Sequence, residues 1–147
     1  MKANAFAVLM AISLLLTCAV LGEQQQAAPV RFEWVNVFID SKEKPLAAYQ
    51  FELTAKSGDV KIAGVEGGEH PAFKEPPYYD PAALSNDRII IAAFNIGKDL
   101  PAGRTRVARL HVQVSGVPEY AIKLVVTASA DGKEIPATAS VSQGEGR

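Results

Sequence analysis

The side chains best suited to chemistry are concentrated in one stretch, Glu66-Gly-Gly-Glu-His-Pro-Ala-Phe-Lys-Glu-Pro-Pro-Tyr-Tyr-Asp-Pro81. Glu69, His70 and Asp80 are the residue types that bind a metal. A zinc site, however, wants three or four ligands at defined spacing, usually with cysteine or more histidine, so no metal ligand and no cofactor is assigned. Glu66, Glu69 and Asp80 are also the types that form a glycosidase pair, which needs two carboxyl groups converging in one cleft. The chain has no G-x-S-x-G and no H-E-x-x-H. No catalytic residue is assigned, and the chain is expected not to be an enzyme. Binding is the chemistry that remains. Phe73, Tyr78 and Tyr79 offer aromatic contact area, His70 a polar group, and Trp34 a further large ring outside the stretch. The prolines fix φ and lower the cost of ordering such a loop on a partner. Two readings of the loop stand side by side: a binding loop, or a structural flap lying over Trp34 and Phe38. A second cluster, Arg104, Arg106 and Arg109, places the first two on one strand face and the third on the other. It reads as a solvated edge that discourages sheet pairing. Ala108, Leu110, Val112 and Val114 are expected to face in and Arg109, His111 and Gln113 out, so His111 reads as a solvated side chain on the polar parity of its strand.

The elements that must hold these residues are strands. Val35, Val37 and Ile39 alternate with Trp34, Asn36 and Phe38, and Tyr49, Phe51 and Leu53 alternate with Gln50, Glu52 and Thr54. A period of two marks a strand with one dry face. The polar link Ser41-Lys-Glu-Lys-Pro45 suggests a hairpin between these two strands. Further strands are expected over 59–64, 88–96, 105–115, 120–130 and 134–141. The run Arg88-Ile-Ile-Ile-Ala-Ala-Phe-Asn-Ile96 reads as buried on both faces. Gly116-Val-Pro118 reads as a turn, and Asp131-Gly132 as a tight hairpin. Residues 65–87 lack any period and form a long loop. After the first 22 residues no helical pattern is evident beyond a single turn suggested by Ala82-Ala83-Leu84. The expectation is an all-β fold, a two-sheet antiparallel jelly-roll-like β-sandwich of about seven to nine strands.

Val35-x-Val37-x-Ile39, a polar turn and Leu46-Ala-Ala-Tyr-Gln-Phe51-Glu-Leu53 resemble the opening of cohesin domains. The resemblance continues in Arg88-Ile-Ile-Ile-Ala-Ala-Phe94, in Leu100-Pro-x-Gly103 and in Val107-Ala-Arg-Leu110-His-Val112. It covers most of residues 31–141. It implies the jelly-roll sandwich that cohesins share with some cellulose-binding modules. It also implies a role in protein–protein anchoring to a dockerin-like or other extracellular partner. Binding of a polysaccharide, as in the carbohydrate-binding modules of the same architecture, is the alternative.

Length allows one domain in 147 residues. Residues 1–22 read as a signal peptide: Met1-Lys2, an apolar run from Ala5 to Leu21, and small residues near the cut. Residues 23–29 form a linker, 30–142 the cohesin-like sandwich and 143–147 a flexible tail. Cys18 is the single cysteine, so no disulfide forms within the chain. Its setting, Leu15-Leu-Thr-Cys18, resembles a lipobox, so a membrane partner is expected only if Cys18 is lipidated. Either route takes the protein to the cell envelope or beyond. A formal net charge of −1 provides no basic field for nucleic acid.

Overall fold

Two strands are far longer than the usual five or six residues, and they organise the whole molecule. In a computed structural model, which describes residues 27–145, β2 (Ala48–Gly67) has 20 residues and β5 (Arg104–Ala128) has 25. The other strands are β1 (Val30–Asp40), β3 (Tyr78–Tyr79), β4 (Arg88–Phe94) and β6 (Thr138–Glu145). All pair antiparallel in one six-stranded sheet of order β3-β4-β2-β5-β1-β6. The all-β antiparallel expectation holds, but in one hydrogen-bonded sheet of six strands. The segments expected as separate strands at 59–64 and 120–130 are continuations of β2 and β5.

This sheet is folded on itself. Tyr49 pairs with Thr127, yet its hydroxyl donates to the Val107 carbonyl at 3.0 Å. Val107 lies twenty positions before Thr127 on the same strand, about 66 Å away along a straight strand. Only a reversal of β5 brings the two together. The bend falls where Gly58 (φ +75°) meets Gly116 (φ +80°), with register breaks on either side of Ser57. Glycine is the residue that occupies positive φ without strain. Pro118 lies in the same gap in the ladder, where no strand N–H is missed. Gly116-Val-Pro118 therefore acts as a corner within β5 rather than as a turn between strands.

The fold yields an upper layer, β3-β4 with the first half of β2 and the second half of β5. The lower layer holds the other halves with β1 and β6. Between them lies one core cluster including Val35, Val37, Ile39, Tyr49, Phe51, Leu53, Ile89, Ile91, Leu110 and Val112. The parity expected for β1 is observed: Val35, Val37 and Ile39 are fully buried. The expected β1–β2 hairpin is absent. β5 separates the two strands in the sheet, and the link between them crosses from one layer to the other, held by Ser41 N–H to the Gly103 carbonyl and Leu46 N–H to the Pro101 carbonyl. A polar link ending in proline specifies a turn but not which strand is paired after it. At the other end, Glu134 makes only an isolated bridge to Ala128, and β6 runs on to Glu145, beyond the expected start of the tail at 143. The expected signal peptide lies outside the described residues.

Candidate functional site

The loop after β2 is more ordered than its aperiodic sequence suggests. Two 3-10 turns, Pro71–Phe73 and Pro81–Ala83, share one construction. His70 Nδ1 accepts the Ala72 N–H (3.2 Å), and Asp80 Oδ1 accepts the Ala82 N–H (2.9 Å). Each cap is followed by a proline, whose fixed φ suits the first helical position. Gly68 lets the chain pass close to β5, since a Cβ there would lie 2.5 Å from the Arg106 carbonyl oxygen. Phe73 then plugs the core at 3% exposure, edge-on to Tyr49 at 5.1 Å between centroids.

The chain leaves this plug to form β3, which pairs with β4 as the edge strand of the upper layer. Here the expectation that β4 is buried on both faces fails. Ile89 and Ile91 face the core, but Ile90 is 41% exposed and Phe94 64%. Tyr78, 69% exposed, stacks on Phe94 with centroids 6.2 Å apart and planes 11° from parallel. Ile96 stands open just beyond the strand. Beside the pair is an open depression of about 670 Å³ whose walls include Gln50, Asp80, Asp87 and Arg88. Arg88 clasps Glu52 through two hydrogen bonds, 3.0 and 2.8 Å, and holds the Glu52 carboxyl below its usual range.

The five binding residues expected from sequence are therefore dispersed. Tyr78 lies in the exposed patch, and Tyr79 beside it, half-buried against the core. Phe73 is interior, so it packs rather than contacts a partner. His70 is a cap, with Nε2 3.8 Å from Asp99. Trp34 belongs to the outer face of the other layer. No loop aromatic covers it: its indole lies against Gly144 of β6 and under the Arg109 guanidinium, 5.5 Å from the ring centroid. Phe38 is covered by Arg104 at 3.6 Å. The flap expected over Trp34 and Phe38 is thus overturned, because Phe73 finds its socket in the core at Tyr49. Phe94, Ile90 and Ile96 were hidden in the sequence by an uninterrupted apolar run that carries no periodic signal.

The three loop carboxylates, Glu66, Glu69 and Asp80, have separate partners. Glu66 meets His111 at 2.7 Å, which holds the Glu66 carboxyl down, Glu69 accepts the Arg106 N–H, and Asp80 caps its turn. Among the described residues, no group of three His, Cys, Asp or Glu side chains is placed to hold a metal. No family model, curated protein or solved structure matches this chain.

Proposed function

We propose that this chain is a secreted, non-catalytic binding domain that anchors a protein partner through the outer face of β3 and β4. The observation that carries the reading is the exposed Tyr78–Phe94 stack flanked by Ile90 and Ile96. Contiguous apolar surface on a rigid sheet is the kind that partners cover, and aromatic residues dominate the energetics of such contacts. The reading keeps the cohesin-type resemblance, with the folded sheet as a jelly-roll-like sandwich and a dockerin-like or other extracellular protein as partner. It includes export by the signal peptide at 1–22, with Glu23 as the first mature residue.

A second reading, carbohydrate binding, is favoured by one feature: the depression beside Tyr78 sets Asp80, Asp87 and Arg88 next to an aromatic face. A single experiment separates the two. The protein and its Tyr78→Ala/Phe94→Ala variant are used as baits on the extracellular fraction of the source, and both are run through gels containing cellulose, chitin or xylan. The protein reading expects a defined partner retained by the parent and lost by the variant, an effect of about 2 kcal/mol or more. Retardation by one of the neutral polysaccharides, abolished in the variant, would replace it with the carbohydrate reading.

A further inference from the structure

On the lower layer, a β-bulge changes the meaning of the arginine cluster. Val37 pairs with Ala108 but Phe38 with Arg106, so Val107 is the extra residue. Val107 and Ala108 are both fully buried. One inserted residue reverses the parity beyond it. Arg104 and Arg106 therefore join Arg109 on the outer face, whereas the alternation read from sequence put them on the face opposite to it. The three stand in line with His111 on β5, a central strand flanked by β1 and β2. They do not protect a sheet edge, and another account of them is required.

Among the described residues, none of the three arginines forms an ion pair. Arg104 lies over Phe38, and Arg109 lies over Trp34 with its Nε donating to Asn36 Oδ1 at 2.8 Å. Arg106 donates to the Gly67 carbonyl at 3.1 Å. These contacts hold the guanidinium groups in place and, among the described residues, leave N–H donors of Arg104 and Arg109 without a protein acceptor. The nearby acids take their hydrogen bonds elsewhere, Glu66 with His111, Glu69 with the Arg106 N–H and Asp40 with the Lys42 N–H, while Glu66 also feels the charges of Arg109 and Arg106 and Asp40 lies opposite Arg104 in register. Across β1, the residues of β6 on this face are Thr138, Ser140 and Ser142, all exposed and facing Asp40, Phe38 and Asn36 in register. A cationic column about 20 Å long thus runs alongside a hydroxyl column about 10 Å away.

We propose that this face binds an anionic polysaccharide, the arginines taking its carboxylate or sulfate groups and the β6 hydroxyls its sugar hydroxyls. Guanidinium forks match such oxyanions bidentately. Nucleic acid fits the face poorly, because single strands need open aromatic faces on which bases stack, whereas Phe38 and Trp34 already carry guanidinium groups. The site lies on the opposite outer face from Tyr78 and does not depend on the anchoring role assigned there.

Affinity electrophoresis of the purified protein through polygalacturonate and through chondroitin sulfate tests it, and the comparison tells carboxylate from sulfate. Retardation by at least one acidic polymer and none by dextran is expected. Arg104→Gln/Arg109→Gln should weaken it by at least about tenfold, while Tyr78→Ala leaves it unchanged. Arg104→Lys/Arg109→Lys keeps the charge and loses the fork, and should weaken binding by a smaller factor; it decides the matter if the glutamine variant does not fold. Absence of retardation by both acidic polymers would overturn the proposal. So would undiminished binding by the folded variants, or tighter binding to single-stranded DNA or to phosphatidylglycerol vesicles.

Discussion

Tyr49 and Tyr120 show how one residue type takes two energetic roles. The Tyr49 hydroxyl is buried and donates to the Val107 carbonyl, fastening one layer to the other. The Tyr120 hydroxyl is also shielded from solvent, and it has no hydrogen-bond partner among the described residues. Replacing Tyr49 by Phe should cost about 1 kcal/mol at neutral pH, since a buried carbonyl loses its donor. Tyr120→Phe loses no bond and should be neutral or slightly stabilising. Burial pushes both phenols up, Tyr49 far above its ordinary value and Tyr120, where the nearby Glu33 charge adds to burial, to about 12. A folded-state pKa raised above the unfolded value near 10 gives stability that is complete below pH 10 and lost as pH rises through 10 towards 12. Urea unfolding midpoints should therefore be flat from about pH 7 to 9.5 and fall above pH 10. Each Phe variant should show a shallower alkaline fall than the parent, and an unchanged slope in both would contradict the assignment.

At the scale of elements, the loop between β2 and β4 is pinned from inside by Phe73. Phe73→Ala should cost about 3–5 kcal/mol and open the loop to trypsin at Lys74. Trp34→Ala should also lower stability, because the indole packs on Gly144 and Arg109, but the loop should stay resistant. Limited proteolysis of the two variants checks the pair, and equal loop cleavage in both would restore the flap over Trp34. The two 3-10 turns carry a local signature, His70-Pro-Ala and Asp80-Pro-Ala, a capping side chain followed by proline at the first position, that does not figure among the sequence-based expectations. They were hidden by the absence of a hydrophobic period, which single turns are too short to generate. The patch on β4 was not legible at all. Arg88-Ile-Ile-Ile-Ala-Ala-Phe94 is apolar on both parities, and only the folded molecule shows that, among the described residues, no second layer covers Ile90 and the Tyr78–Phe94 pair.

For the whole molecule, one sheet and one core make the two layers a single cooperative unit. Gly58→Ala forces a side chain into a positive-φ bend, where its Cβ would lie 3.2 Å from the Val117 carbonyl oxygen. It should cost at least about 1 kcal/mol. The loss should lower one common unfolding transition, seen alike by Trp34 fluorescence in the lower layer and by tyrosine near-UV dichroism in the upper. Two separate transitions would show that the layers unfold independently. The amino-acid sequence by itself determined the strand character and the inward face of β1, Val35, Val37 and Ile39, because alternation is a local property of an extended chain. It also determined the all-β antiparallel class. Tertiary structure alone decided the pairing: β1 lies beside β5 and β6 rather than β2, and β2 and β5 bend through both layers instead of ending at their glycines. It alone decided that Arg104 and Arg106 share the outward face of Arg109, since a bulge at Val107 appears only once β1 sets the register. What covers the second face of a strand depends on residues distant in the chain, so the Tyr78–Phe94 patch and the arginine column exist only in the folded molecule.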